Sequence, residues 1–151
     1  MKTHTKALLT LALVLSTPLA ASELVNVSGA TRVAIDGYDP VAFFTDGKAV
    51  NGSPAITAVH HDAIYYFATE EHRNAFTSNP ERYAPQYGGF CAYGVGRNAL
   101  FPVDINTWQI RDGRLYFNLN SEVVRRFNAD FDGNVAKADR NWPGLVQKNG
   151  R

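Results

Sequence analysis

The sequence is poor in sulfur. Its 151 residues hold one cysteine, Cys91, and one methionine, Met1. A lone thiol excludes an internal disulfide and any cysteine-rich metal cluster. Charge imbalance is missing as well. Lys and Arg number 15 against 14 Asp and Glu, and no aromatic-rich basic stripe appears, which argues against nucleic acid as a partner. Nothing in the charge pattern would steer an anionic ligand. Long hydrophobic runs are absent too: Ala7 to Leu15 is the longest and is too short to span a bilayer. No Ser/His/Asp hydrolase motif and no phosphate-binding glycine loop is present.

That apolar run has a context of its own. Lys2, His4 and Lys6 precede it and small residues from Ser16 to Ser22 follow, the pattern of a cleaved signal peptide. We expect residues 1–22 to be removed after Ala21 or Ser22. Residues 23–151 would then form one exported domain, periplasmic or secreted, with no later membrane span. No cysteine lies at the expected cut, so lipid modification is not expected. Export sharpens the question of Cys91. In an oxidising space the thiol must be buried, paired between chains in a dimer, reactive, or metal-bound.

Aromatic residues are plentiful, with nine Phe, seven Tyr and two Trp, enough for a substantial core. Val33-Ala34-Ile35 reads as a short strand. Asp39 before Pro40 reads as a helix start, the carboxylate accepting orphan N–H groups and proline occupying the first turn. Ala55 to His60 and Ile64 to Ala68 read as a hairpin. If strand geometry continued through His60 and His61, the two would face opposite ways; as residues of a hairpin end, both are expected to be exposed. Thr69 caps a helix through about Ser78, on which His72 and Phe76 share a face and turn His72 partly inward. Gln86-Tyr87-Gly88-Gly89 is a corner that needs positive φ, and Phe90 to Tyr93 leaves it extended. Thr107–Arg111 and Leu115–Asn118 form a second hairpin, followed by a helix from Ser121 through Phe127. Asp132-Gly133-Asn134 is expected to break the chain before a short helix over 135–141.

The sequence echoes itself. Asp62 to Phe67 and Asp112 to Phe117 share D-x-x-x-Y-F, and each is followed by a cap and a helix ending in Phe. The expected fold is α+β: short antiparallel hairpins with packed helices, in two similar β-β-α halves. The second copy lacks the His and the Cys, so a site is expected in the first.

Four stretches together resemble the YHS-domain family, in its exported single-domain form. They are Gly37-Tyr38-Asp39-Pro40-Val41-Ala42-Phe43-Phe44; Tyr66-Phe67-Ala68-Thr69 with His72-Arg73 and Phe76; Asn79-Pro80 with Tyr83 and Pro85 to Ala92; and Asn134 with Ala136-Lys137-Ala138-Asp139 and Asn141-Trp142-Pro143. The wider family includes heavy-metal-associated domains with cysteines after the Asp-Pro-Val and in the strand–helix element. Here those positions carry Ala42, Ala68 and His72, so a cysteine-rich site of that kind cannot form. What the resemblance implies is metal binding through Cys91 and His72, whose thiolate and imidazole suit a soft or borderline ion, copper before zinc. His60, His61 or a tyrosine could complete the set.

Two other readings stand beside this one. In the first, Tyr38, Tyr66, Tyr87 and Phe90 line a pocket for a small ligand or partner, and Cys91 and His72 merely pack. In the second, Cys91 is a nucleophile with His72 as base, Gly88-Gly89 offering N–H donors and Asn74 or Asn79 orienting. Metal binding requires the donors to converge on one point; a thiol enzyme requires an open cleft and a depressed thiol pKa.

Overall fold

A carboxylate with no solvent contact sits where the first half of the chain converges. Asp39 is 0% exposed. Its Oδ1 accepts hydrogen bonds from the N–H groups of Val41 (2.9 Å) and Ala42 (3.3 Å), and its Oδ2 from Ala68 N–H (2.8 Å) and from His72 Nδ1 (2.7 Å). The carboxylate takes up N–H groups as expected, but the helix begins at Ala42 with Val41 at its N-cap, so Pro40 lies in the turn before it; the same side chain also ties down the strand–helix junction at Ala68. Burial of an ionised carboxylate is sustained only by such saturation.

The computed structural model describes residues 24–150; the expected signal peptide, 1–22, lies outside the described residues. The fold is α+β. Strands β1 (Val27–Ser28), β2 (Val33–Ala34), β3 (Ser53–His60) and β4 (Ala63–Phe67) form one sheet in the order β1-β2-β4-β3, with only β2 and β4 parallel. Strands β5 (Asp104–Arg111) and β6 (Arg114–Asn118) form a second, antiparallel pair. The helices are α1 (Ala42–Thr45), α2 (Glu70–Ser78), α3 (Pro80–Tyr83), α4 (Ala92–Val95), α5 (Ser121–Ala129) and α6 (Phe131–Asn149). Among the described residues no helix is long and apolar enough to cross a membrane.

The repeat is more extensive than the sequence echo. Each hairpin closes through a two-residue turn with both φ positive, His61-Asp62 in one and Asp112-Gly113 in the other, the conformation that matches the twist of paired strands. Ser53 faces Phe67 and His60 faces Ala63; Asp104 faces Asn118 and Arg111 faces Arg114, so counterparts lie 51 positions apart. Thr69 and Asn120 cap α2 and α5, accepting from His72 N–H and Val123 N–H, and Phe76 and Phe127 are the buried residue of each helix. The shared D-x-x-x-Y-F places Asp62 against Asp112, 50 apart, and so is one residue out of structural register: aspartate occupies the second turn position in one hairpin and the first in the other.

A corner precedes each unit. Ile35, Asp36 and Gly37 have φ of 53°, 49° and 81°; Tyr87, Gly88 and Gly89 have 54°, 59° and 81°. Tyr38 N–H returns to Ile35 C=O in the first corner, and Phe90 N–H to Tyr87 C=O in the second. The residue after Tyr38 is Asp39; the residue after Phe90 is Cys91. The lone thiol thus occupies the position in the second half that the buried carboxylate occupies in the first.

The remaining expectations need correction at two places. Phe90 to Tyr93 does not run on as a strand: Cys91 makes a single bridge to Phe117 and then opens α4. Asp132-Gly133-Asn134 does not break the chain, and the helix expected over 135–141 is not short: α6 runs from Phe131 to Asn149, through Pro143. The three residues lie in the first turn of α6, where Asp130 Oδ1 accepts from Gly133 N–H, and a Cβ on Gly133 would meet that carboxylate at 2.2 Å. Asn134 is buried and donates to the carbonyls of Arg126 and Phe127, closing the end of α5. These polar residues read as loop formers because their partners belong to the neighbouring helix terminus.

Two cores result. Val41, Phe43, Tyr65, Phe67 and Phe76 pack with Leu115 and Phe117, joining the halves; Tyr87, Tyr116, Phe127, Phe131 and Leu145 form the second. Asp39→Ala would leave four donors without an acceptor. We expect it to cost about 3–5 kcal/mol, read as a lower urea midpoint, and a loss under ~1 kcal/mol would show that the carboxylate is not the organising contact.

Candidate functional site

The sequence-predicted site residues fall into three separate places. His72 belongs to Asp39. Its Nδ1 is engaged by the buried carboxylate, and its Nε2 lies 3.3 Å from Thr45 Oγ1 and 3.8 Å from Asp46 Oδ1. His72 is thus inward-facing, as its spacing from Phe76 predicts, and it clamps α2 to α1.

Cys91 lies elsewhere. It is 1% exposed, and its Sγ donates to Asn118 Oδ1 at 3.6 Å. That oxygen also accepts from Tyr93 N–H, while Thr107 Oγ1 accepts from Asn118 N–H and donates to Asn118 C=O. Burial pushes the Cys91 thiol up, against the opposing pull of backbone groups at Gly94, Leu119 and Tyr93. A buried thiol held in its neutral form lacks the electropositive, accessible surroundings of a nucleophile. No hydrogen bond or ion pair joins Cys91 to His72.

The tyrosines also divide. Tyr38 bridges Asn51, and Tyr66 packs against Gly37 and Gly52. Tyr87 and Phe90 pack around Trp142 on α6. Of these four, Tyr87 alone is among the residues lining the described cavities. Its hydroxyl donates to Asp139 Oδ1 at 2.8 Å, and its pKa is raised, first by burial and then by that carboxylate.

The third place assembles donors. At the end of β3 the chain does not stay extended: His61 has φ 48° and Asp62 φ 60°. This turn cancels the alternation that would send His60 and His61 to opposite faces. Their rings pack together instead, centroids 3.7 Å apart. His60 Nε2 lies 3.1 Å and His61 Nε2 3.3 Å from one oxygen, Oε1 of Glu81. Neither ring is a free surface group: His60 is 15% and His61 28% exposed in its side chain, and His60 meets Phe76 edge-on. Glu81 is presented by α3, a single turn pinned by Pro80.

The spacing carries chemical meaning. The 3.1 and 3.3 Å separations are those of imidazole–carboxylate ion pairs, and they also match the ~3.3 Å between zinc donors held at about 2.0–2.1 Å in a tetrahedral array. Among the described residues this is the one group of three or more His, Cys, Asp or Glu side chains that could hold an ion together. The three side chains line a cleft of about 210 Å³ together with Tyr65, Gln86, Tyr87, Asp139 and Trp142. The corresponding positions of the second half are Arg111, Asp112 and Asp132. Arg111 places its guanidinium over the Phe131 ring at 4.1 Å, and a guanidinium cannot ligate a cation, so the donor set belongs to the first half alone.

Glu81 has no signal in the sequence beyond its place after Asn79-Pro80. The adjacent histidines were visible; their convergence depends on a left-handed turn that alternation cannot show. No family model, curated protein or solved structure matches this chain.

The buried thiol yields a pH prediction. The native state keeps the Cys91 proton where the unfolded chain has lost it, so its stabilising contribution is full below the ordinary thiol pKa, about 8.5, and is lost as pH rises above it. Tyr87 and Tyr116, both raised by burial, add the same slope from about pH 10. Urea midpoints measured from pH 7 to 11 should fall in two stages, and Cys91→Ser should remove the first alone.

Proposed function

We propose that this protein is a metal-handling protein that holds a borderline divalent ion, copper or zinc, between His60, His61 and Glu81. The observation that supports this most directly is the convergence of two imidazole nitrogens on one carboxylate oxygen at the spacing of ligand edges. Two nitrogens and one oxygen suit copper(II) and zinc(II), with copper(II) higher in the affinity order. The resemblance to exported YHS-domain proteins supports the same class. It favours a different ligand pair, Cys91 and His72, but both of those side chains are engaged with buried partners of their own.

The reading is one of binding and transfer, not catalysis. Glu81 is 71% exposed in its side chain, so one ligand sits at the solvent boundary, where it can be exchanged for a donor from another molecule. In the metal-free protein the carboxylate holds the two rings together. Loading replaces that contact with bonds to the ion. The exported location that residues 1–22 suggest would place this exchange outside the cytoplasm.

The test is calorimetric titration of the reduced full chain with zinc and copper(II). One equivalent should bind, and His60→Ala or Glu81→Gln should weaken it by at least about 100-fold. Cys91→Ser and His72→Asn should keep it. Retention in His60→Ala together with loss in Cys91→Ser would return the site to the thiol. Absence of binding in the wild-type chain would sink the metal reading and leave the cleft beside Tyr87 and Trp142 as a small-ligand site.

A further inference from the structure

Resting on that metal reading, we infer that the His60–His61–Glu81 site takes copper as the oxidised, divalent ion and yields it on one-electron reduction to a soft acceptor. Three observations lead here. The first is the donor set, two imidazoles and a carboxylate, with no sulfur. Soft thiolate and thioether ligands select cuprous ion, whereas imidazole and carboxylate do not.

The second is that, among the described residues, the one sulfur is engaged elsewhere. Cys91 is 1% exposed and donates to Asn118 in the other half. Met1, the sole methionine, lies outside the described residues.

The third is the direction of the imidazoles. Cuprous ion can be held by two imidazoles alone when their lone pairs oppose one another across a linear N–Cu–N axis. Here the rings lie against each other, with centroids 3.7 Å apart, and both Nε2 atoms lie within 3.3 Å of the same Glu81 oxygen. A linear N–Cu–N pair holds its ring centroids much farther apart than this, so the two imidazoles do not oppose one another. Turning either ring outward would separate it from its neighbour, and His60 would also lose its contact with Phe76. Convergent donors with a carboxylate on the third corner favour a higher-coordinate divalent ion, with the cleft side left for water or an incoming ligand.

The step balances simply. One electron converts copper(II) to copper(I), and a small reductant such as ascorbate supplies two electrons for two loaded chains. The imidazoles and the carboxylate keep their own charge, and the copper(I) passes to an acceptor bearing thiolate or thioether groups. The side-chain exposure of His61 and Glu81, 28% and 71%, gives both reductant and acceptor access.

Four samples of the full chain test this: wild type, Cys91→Ser, His60→Ala and Glu81→Gln. Each is titrated with zinc(II), with copper(II), and anaerobically with copper(I) in competition with bathocuproine disulfonate. We expect copper(II) to bind wild type and Cys91→Ser one to one, with nitrogen hyperfine structure in the electron paramagnetic resonance spectrum. Copper(I) should bind at least about 100-fold more weakly than copper(II). Ascorbate should abolish the signal and deliver one equivalent of copper to the chelator. Copper(I) held as tightly as copper(II) would overturn this inference while leaving the metal reading intact. Failure of zinc and copper(II) alike to bind would overturn both. Circular dichroism of the His60→Ala and Glu81→Gln variants separates ligand loss from misfolding. If either is unfolded, zinc protection of His61 from diethylpyrocarbonate in the wild-type chain decides: protection supports the site, and equal labelling with and without zinc overturns it.

Discussion

The hydrogen-bonded burial of Asp39 is the constraint on which the first half depends. A carboxylate without water must find donors for its lone pairs, and here four are supplied from three places in the chain: the start of α1, the end of β4 and the imidazole of α2. Removing any one would leave part of a buried charge uncompensated. The arrangement therefore fixes α1, the strand–helix junction and His72 relative to one another. It also explains why His72, the histidine that stands out by helical spacing, takes a structural post: its Nδ1 is needed to complete the carboxylate's shell.

The second half solves the same geometric problem with different chemistry. Cys91 follows the Tyr87-Gly88-Gly89 corner as Asp39 follows Ile35-Asp36-Gly37, and it too reaches the end of the following hairpin, meeting the Asn118 side chain where Asp39 meets the Ala68 backbone N–H. The thiol carries no charge, so it needs fewer partners, and its bond to Asn118 does not reach α5 as Asp39 reaches α2 through His72. The two halves thus share a backbone plan while differing in how polar the buried corner is. The same divergence appears at the hairpin tips, where one half carries imidazoles and the other a guanidinium.

Much of the fold was legible because its signals are local. Thr69 as a cap, the end of α2 at Ser78, the positive φ at Tyr87-Gly88-Gly89 and both hairpins follow from residue type and short spacing. What could not be read is what depends on distant partners. Asn134 looks like a breaker until the α5 carbonyls it satisfies are in place. His60 and His61 look like an exposed hairpin end until the turn folds them together beside Glu81, which itself comes from a later helix. The grouping of Cys91 with His72 failed to appear as a contact for the same reason: each side chain answers to a buried partner that composition and spacing do not identify.

The shared core has a consequence for the order of assembly. Phe43 on α1 packs against Trp108 on β5 and Phe117 on β6, with ring centroids 5.4 Å and 5.5 Å away. A chain emerging from its N-terminus makes the first hairpin and α2 long before those aromatic partners exist. Until β6 has been synthesised, the first half carries an apolar plug with nothing to cover it, the state in which nascent chains are most exposed to aggregation and to chaperones. The repeat in this protein is thus a repeat of shape and not of autonomy: two similar units, of which the earlier must wait for the later.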